Sequence, residues 1–265
     1  ARLRTLGTPV SVVVNHVHQD LVALANGGRA VLCSDMHYSP MSNLLKPADA
    51  SNMGDGWETR RRRSAGFDWV VFALGKPGQL REAQILTHFF KGNYPERCGL
   101  DVLYWPDAPI QSLGPDAPWR SVLDGLKLGP HDQFNFAVPS SQVCSHVRLR
   151  IEPDGGVARI RLFGEGVGPE YVEDSPLLAL INAMTSSERE DAFYRCCASR
   201  RWANQMAQQA PFRSHAQLTG MADVIWWHLD ETDWKEAFDG HPTIGEESTA
   251  LREKFAQGAQ WSTEE

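Results

Sequence analysis

At 265 residues the chain is long enough for two ordinary domains or one large one. Its formal net charge of −7 gives no electrostatic case for nucleic acid or an anionic membrane, and no apolar run approaches the ~20 residues that cross a bilayer. The five cysteines, odd in number and without a spaced framework, point to reduced thiols in an intracellular compartment, cytoplasmic or peroxisomal.

Arg2 and Arg4, with no acid before Asp20, read as the trimmed end of a targeting segment or as a fragment start. Residues 10–14 form a β-branched run, a first candidate strand. An apolar turn over 20–25 ends at Asn26-Gly27-Gly28. Strands are expected at 30–34, 68–74, 83–90, 100–105 and 134–138, with a turn at Gly75-Lys76-Pro77-Gly78 and a Pro-rich loop running through Trp119. The clearest alternation lies in 146–152 and 157–163. Val147, Leu149 and Ile151 alternate with His146, Arg148, Arg150 and Glu152, and Ile160 and Leu162 alternate with Arg159 and Arg161. Pro153-Asp154-Gly155-Gly156 between them reads as a hairpin turn. About eight short strands with almost no helix predict an all-β jelly-roll sandwich over residues 1–167.

The hydrophobic period changes after the Gly/Pro-rich stretch 164–169, where the acidic excess also begins. Ser175-Pro176 fits a helix start, and Ser187-Glu188-Arg189-Glu190 and Asp233-Trp234-Lys235-Glu236 fit helix caps. Leu218, Met221, Ala222, Ile225 and Leu229 form a helical stripe. Residues 168–265 therefore read as a small all-α domain. Cys196-Cys197 is adjacent rather than spaced as a metal knuckle, so no zinc site is expected. Asp35 and His37 lie close together, but two ligands do not make a metal site. No cofactor is expected, although a divalent metal stays open.

Function concentrates in Asn52-Met53-Gly54-Asp55-Gly56-Trp57-Glu58-Thr59-Arg60-Arg61-Arg62-Arg63. Glycines on both sides of Asp55 suit a loop that presents Asp55, Trp57 and Glu58. The arginines bring guanidinium groups suited to bidentate capture of a carboxylate. The competing reading is a solvated turn with a charge run. This string resembles the signature of allantoicases. Asn43-Leu44-Leu45-Lys46-Pro47, Thr87-His88-Phe89-Phe90-Lys91-Gly92-Asn93-Tyr94-Pro95 and His146-Val147-Arg148-Leu149-Arg150-Ile151-Glu152-Pro153-Asp154-Gly155-Gly156-Val157-Ala158-Arg159 resemble the same family in the same order. The family carries two such repeats, and the Asn-Met-Gly-Asp form resembles the second. The resemblance implies a galactose-binding-domain-like sandwich and hydrolysis of allantoate to ureidoglycolate and urea.

Cys196-Cys197-Ala198-Ser199-Arg200-Arg201-Trp202, Pro211-Phe212 and 234–245 resemble the first half of the ureidoimidazoline (OHCU) decarboxylases. Those enzymes complete urate oxidation to S-allantoin. The resemblance implies that His241, in its His-Pro motif, is the catalytic histidine, and Glu265 is the nearest match to the catalytic glutamate. Decarboxylation by this chain alone is not expected.

Allantoate carries one carboxylate and two planar ureido arms on one carbon. Asp55, Glu58, His88 and His146 are the candidate catalytic groups beside His241, with Trp57, Arg60, Lys91, Asn93 and Arg148 as candidate substrate-binding groups. Asp55, Trp57, Glu58, Arg60, His88 and His146 are expected to line one pocket. The partner is a small-molecule ureide, with other copies or chains covering the incomplete domains. The alternative from a different class is a non-catalytic sandwich module kept for binding or assembly.

Overall fold

The computed structural model describes residues 3–5, 8–10, 18–139 and 142–240. His241, Glu265 and residues 11–14 lie outside them. Two compact units result. One holds the described residues to Asp174 together with Arg213–Gly220, and the other holds 175–212 and 221–240.

The first unit is built from β1 (Leu3–Thr5), β2 (Thr8–Val10), β3 (Gln19–Asp20), β4 (Arg29–Cys33), β5 (Trp57–Glu58), β6 (Asp68–Leu86), β7 (Arg97–Leu103), β8 (Arg120–Lys127), β9 (Gln133–Ala137), β10 (Val143–Glu152), β11 (Gly156–Val157) and β12 (Arg159–Gly166). Strand β6 is its axis. Residues 68–73 of β6 pair with β10 on one side and β4 on the other, while residues 79–86 pair with β12 and β9. All four pairings are antiparallel. Strands β7 and β8 extend the sheet beyond β10. Gly75-Lys76-Pro77-Gly78 is not a turn: it is the middle of β6, exposed at Gly75 and Lys76 and buried again at Gly78, where the strand passes from one set of partners to the other. Turn-type composition marked the change of partners but not a chain reversal.

Alternation explains the core. Val147, Leu149 and Ile151 of β10 pack with Val70 and Phe72 of β6, Leu100 of β7, and Ile160 and Leu162 of β12 in one cluster from which water is excluded. Each fully buried aliphatic or aromatic side chain there contributes about 1.5–3 kcal/mol. The expected hairpin at 153–156 does not form. Strand β10 pairs with β6 and β7, and β12 pairs with β6 and β3. The four turn residues instead carry the chain between the two stretches of β6, and Gly156-Val157 pairs with Trp57-Glu58 on the way. Glycine is required here. Gly155 has φ +130°, and a Cβ on Gly156 would sit 1.9 Å from the buried Phe90 ring. Strand β8 escaped the sequence reading because it is an edge strand, mostly exposed and without apolar alternation.

The opposite face of β10 is polar but dry. Arg148 Nε and Arg150 Nε donate to the same Asp101 Oδ2 at 2.8 and 2.9 Å, and Asp101 is 3% exposed. The Arg148 guanidinium also stacks on Trp119 at 4.9 Å.

The second unit is helical, as the change of period predicts. Its helices are α1 (Pro176–Ala183), α2 (Ser186–Cys197), α3 (Arg200–Gln208), α4 (His215–Trp227, whose first residues belong to the sheet unit) and α5 (Glu231–Asp239). Ser175 caps α1 with Pro176 at its first position. The caps of α2 and α5 fall earlier than the sequence reading has them. Thr185 with Glu188, and Asp230 with Asp233, form the capping boxes. Acceptor and acid three residues apart recur in both stretches, and the earlier pair frees the following residues for the helix. Phe193 meets Trp202 and Phe212 edge-on at 5.9 and 6.0 Å. Trp202 and Met206 are buried on α3. None of the described helices is long and apolar enough to cross a membrane.

Asp101→Ala should leave two guanidinium groups without their shared counter-ion and destabilise the sheet unit by about 3–5 kcal/mol. Denaturant unfolding followed by tryptophan fluorescence measures this, and a loss under 1 kcal/mol would contradict the assigned role.

Candidate active site

The signature loop is anchored before it presents anything. Asn43, 6% exposed, donates from its amide to Gly54 O at 3.2 Å and Gly56 O at 2.8 Å. Lys46 Nζ binds Asp55 Oδ1. Arg159, 1% exposed, donates to Ala48 O, Ala158 O, Asp55 O and, at 2.9 Å, Asp55 Oδ2. Lys46 first and Arg159 second hold the Asp55 carboxyl well below the usual carboxylate range. A carboxylate committed to two cations is a counter-ion, not a base. Trp57 is fully buried in the core, with its indole N–H donated to Asp35 O at 2.8 Å, so it packs and does not wall a substrate.

Beyond Trp57 the chain reaches a cleft of 670 Å³. Glu58, Thr59, Arg61 and Arg62 line it from the signature, Gly92, Asn93, Tyr94 and Glu96 from the second block, and Pro153, Asp154 and Gly155 from the third, with Tyr38 at the side. Asn93 Nδ2 donates to Glu58 Oε1 at 2.6 Å. Arg62 is fixed by its backbone N–H on Asp154 Oδ2 at 2.8 Å and by its guanidinium on Asp68 and Phe67 O. Arg61 is exposed and has no hydrogen bond or ion pair among the described residues. It is the cleft's available cation. Asp154, read as a turn residue, is a tether for Arg62.

The six residues expected in one pocket do not share one. Glu58 and Asn93 do line the cleft. Arg60 faces a neighbouring recess, its N–H held by Asp35 Oδ2 at 2.6 Å and its guanidinium 3.4 Å from His37 Nδ1. His88 is half-buried with its ring 5.6 Å from that of His131, and Lys91 is exposed; neither lines the cleft. Arg148 is spent on Asp101 and Trp119. His146 pairs with Ala73 and Leu103 in mid-strand. Six strand residues at about 3.3 Å each place it roughly 20 Å from the Pro153 end of β10 that touches the cleft. His241 lies outside the described residues. Arg61 and Tyr94 also line the cleft, although neither is among the candidate residues. Tyr94 stood inside a quoted block, so block membership was its signal, whereas nothing within four consecutive arginines tells which one faces the cleft. No group of three or more His, Cys, Asp or Glu among the described residues is placed to hold a metal ion.

Burial, helped by the nearby Arg29, pushes His146 down to about 4. Its folded value lies below the ordinary histidine range, so the unfolded chain takes the proton first. Its contribution to stability is complete above about pH 6.5 and is lost as the pH falls towards 4. His146→Gln should flatten the pH dependence of unfolding between those limits. An unchanged slope in denaturant titrations would rule out a buried neutral imidazole.

Residues 19–167 match the allantoicase repeat model and residues 182–265 match the OHCU decarboxylase model. A probable allantoicase of Stutzerimonas stutzeri is 46% identical over 175 residues, covering 63% of this chain and 52% of the relative. One from Pseudomonas paraeruginosa is 47% identical, covering 62% and 51%. The crystal structure of allantoicase from Saccharomyces cerevisiae superposes with a TM-score of 0.50 at 34% identity, covering 58% of this chain and 45% of that one. The chain thus spans about half the length of the curated relatives it matches. With its repeat, its anchored signature loop and these relatives together, the chain belongs to the allantoicase family.

Proposed function

We propose that the cleft hydrolyses allantoate to ureidoglycolate and urea. The observation that carries this reading is the hydrogen-bonded Glu58–Asn93 pair beside the unpaired Arg61. Family membership supports the substrate class. Arg61 supplies two parallel N–H donors for the substrate carboxylate. Asn93 spends an amide N–H on Glu58, which leaves its Oδ1 to accept from a ureido N–H. The same bond fixes one Glu58 oxygen and leaves the other for the reacting atoms. In this reading Glu58 takes a proton from the attacking water as its oxygen bonds to the central carbon. The C–N bond to one ureido arm breaks, and the departing nitrogen receives a proton to leave as urea. Tyr38 and Tyr94 offer flat walls for planar ureido groups. The OHCU decarboxylase match supports a second role in the same breakdown route for the helical unit. The free cysteines fit a reducing compartment, cytoplasm or peroxisome.

A second reading is a non-catalytic module. It is favoured by Asp55 and Arg148, two charges of the family blocks, being committed to partners within the fold. Urea release from allantoate by the purified chain separates the two. Glu58→Gln should lower kcat by about 100-fold or more with little effect on KM, whereas Arg61→Gln should raise KM by about tenfold. Urea release at the enzyme-free rate would favour the module.

A further inference from the structure

Beside the cleft lies a second concavity of 300 Å³, lined by Arg60 to Arg63 with Ser34, Ser64, Asp35 and Asp68. It shares Arg61 and Arg62 with the cleft. We propose that this recess is a binding site for a small oxyanion of the phosphate or carboxylate class.

Charge is the first support. Both acids of the recess are already engaged. Asp35 Oδ2 accepts the N–H groups of Arg60 and His37, and Asp68 Oδ1 accepts from Arg62 and from Ser34 Oγ. Four guanidinium groups face two carboxylates, an excess of positive charge in a chain of net charge −7. Arg61 and Arg63 have no ion pair or hydrogen bond among the described residues, and the Arg60 guanidinium hydrogen-bonds only the His37 ring among them.

An unmet donor is the second. Arg62 Nε is buried without a hydrogen-bond partner, although the rest of its guanidinium is held by Asp68 and Phe67 O. A buried N–H without an acceptor costs roughly 1–3 kcal/mol, so such groups are nearly always met by a partner, a water or an ion.

Order is the third. A solvated charge run is mobile, but here the backbone N–H groups of Arg60 and Arg62 are pinned to Asp35 and Asp154 at 2.6 and 2.8 Å. The recess is therefore preformed. Because Arg61 belongs to both concavities, an anion in the recess and a carboxylate in the cleft draw on the same guanidinium. The two ligands should weaken each other reciprocally.

The test is calorimetric titration of the whole chain with inorganic phosphate at constant ionic strength, beside a sodium chloride control. Saturable phosphate binding is expected, weakened about tenfold or more by Arg63→Gln and retained in part by Arg63→Lys. Arg63 is exposed and unpartnered, so circular dichroism of the variants should match the parent. A phosphate-dependent shift of the Arg62 Nε–H resonance should accompany binding. The recess is not an oxyanion site if phosphate heat vanishes against the chloride control, or if Arg60→Gln and Arg63→Gln leave the affinity unchanged. A parallel titration with allantoate distinguishes the source of the anion. Weakening of allantoate by Arg63→Gln assigns the recess to the substrate's own carboxylate, and weakening of phosphate alone assigns it to a free ion. Neither readout needs urea release, so a chain without hydrolytic activity leaves this inference standing.

Discussion

A buried guanidinium, together with Asn43 and Lys46, holds the signature loop in place. Arg159 sits at 1% exposure with every nitrogen engaged, and among the described residues the only formal negative charge it pairs with is Asp55. A buried charge without a counter-ion is untenable, so the glycine-flanked loop must close down on β12. Arg161, two residues on, binds the carbonyls of Leu44, Lys46 and Pro47. The stretch from Asn43 to Asp55 thus docks as one piece, and Glu58 leaves it at a fixed position.

That constraint explains why sequence blocks distant in the chain carry one function. The Asn43 block anchors the loop, the Asn93 block orients Glu58, and the Asp154 block ties down Arg62. Chemistry and scaffold are divided within each block. Asp55 and Glu58 are both acids in one short signature, yet one neutralises a cation and the other opens onto the cleft.

The sheet was legible wherever alternation was strong, as in β10 and β12, because burying one face forces period two. Partners were not legible. Pro153 to Gly156 has hairpin composition, but what pairs with what depends on β6, which composition does not reveal. Edge strand β8 lacks the burial that produces a pattern. In the site, Glu58 and Asn93, drawn from two blocks, line one cleft. Asp55 looked catalytic because one of its two cations, Arg159, lies 104 residues away, and Arg148 looked available because Asp101 lies 47 residues away. Local sequence shows a charge but not its counter-ion. Arg60 was preferred over Arg61 because adjacency to the signature was the only clue. Backbone tethers to Asp35 and Asp154, invisible in the string, decide which guanidinium faces the cleft.

The sharing of β6 also bears on how the sheet unit forms. Its partners enter from as early as Arg29 to as late as Gly166, so few of its pairings are local. Loops must close before those pairings reward it, which makes for high contact order and slow, cooperative assembly. Removing β4, β9, β10 or β12 would strip β6 of an edge. The repeat therefore travels as one unit: a break anywhere between β4 and β12 parts β6 from at least one of these partners.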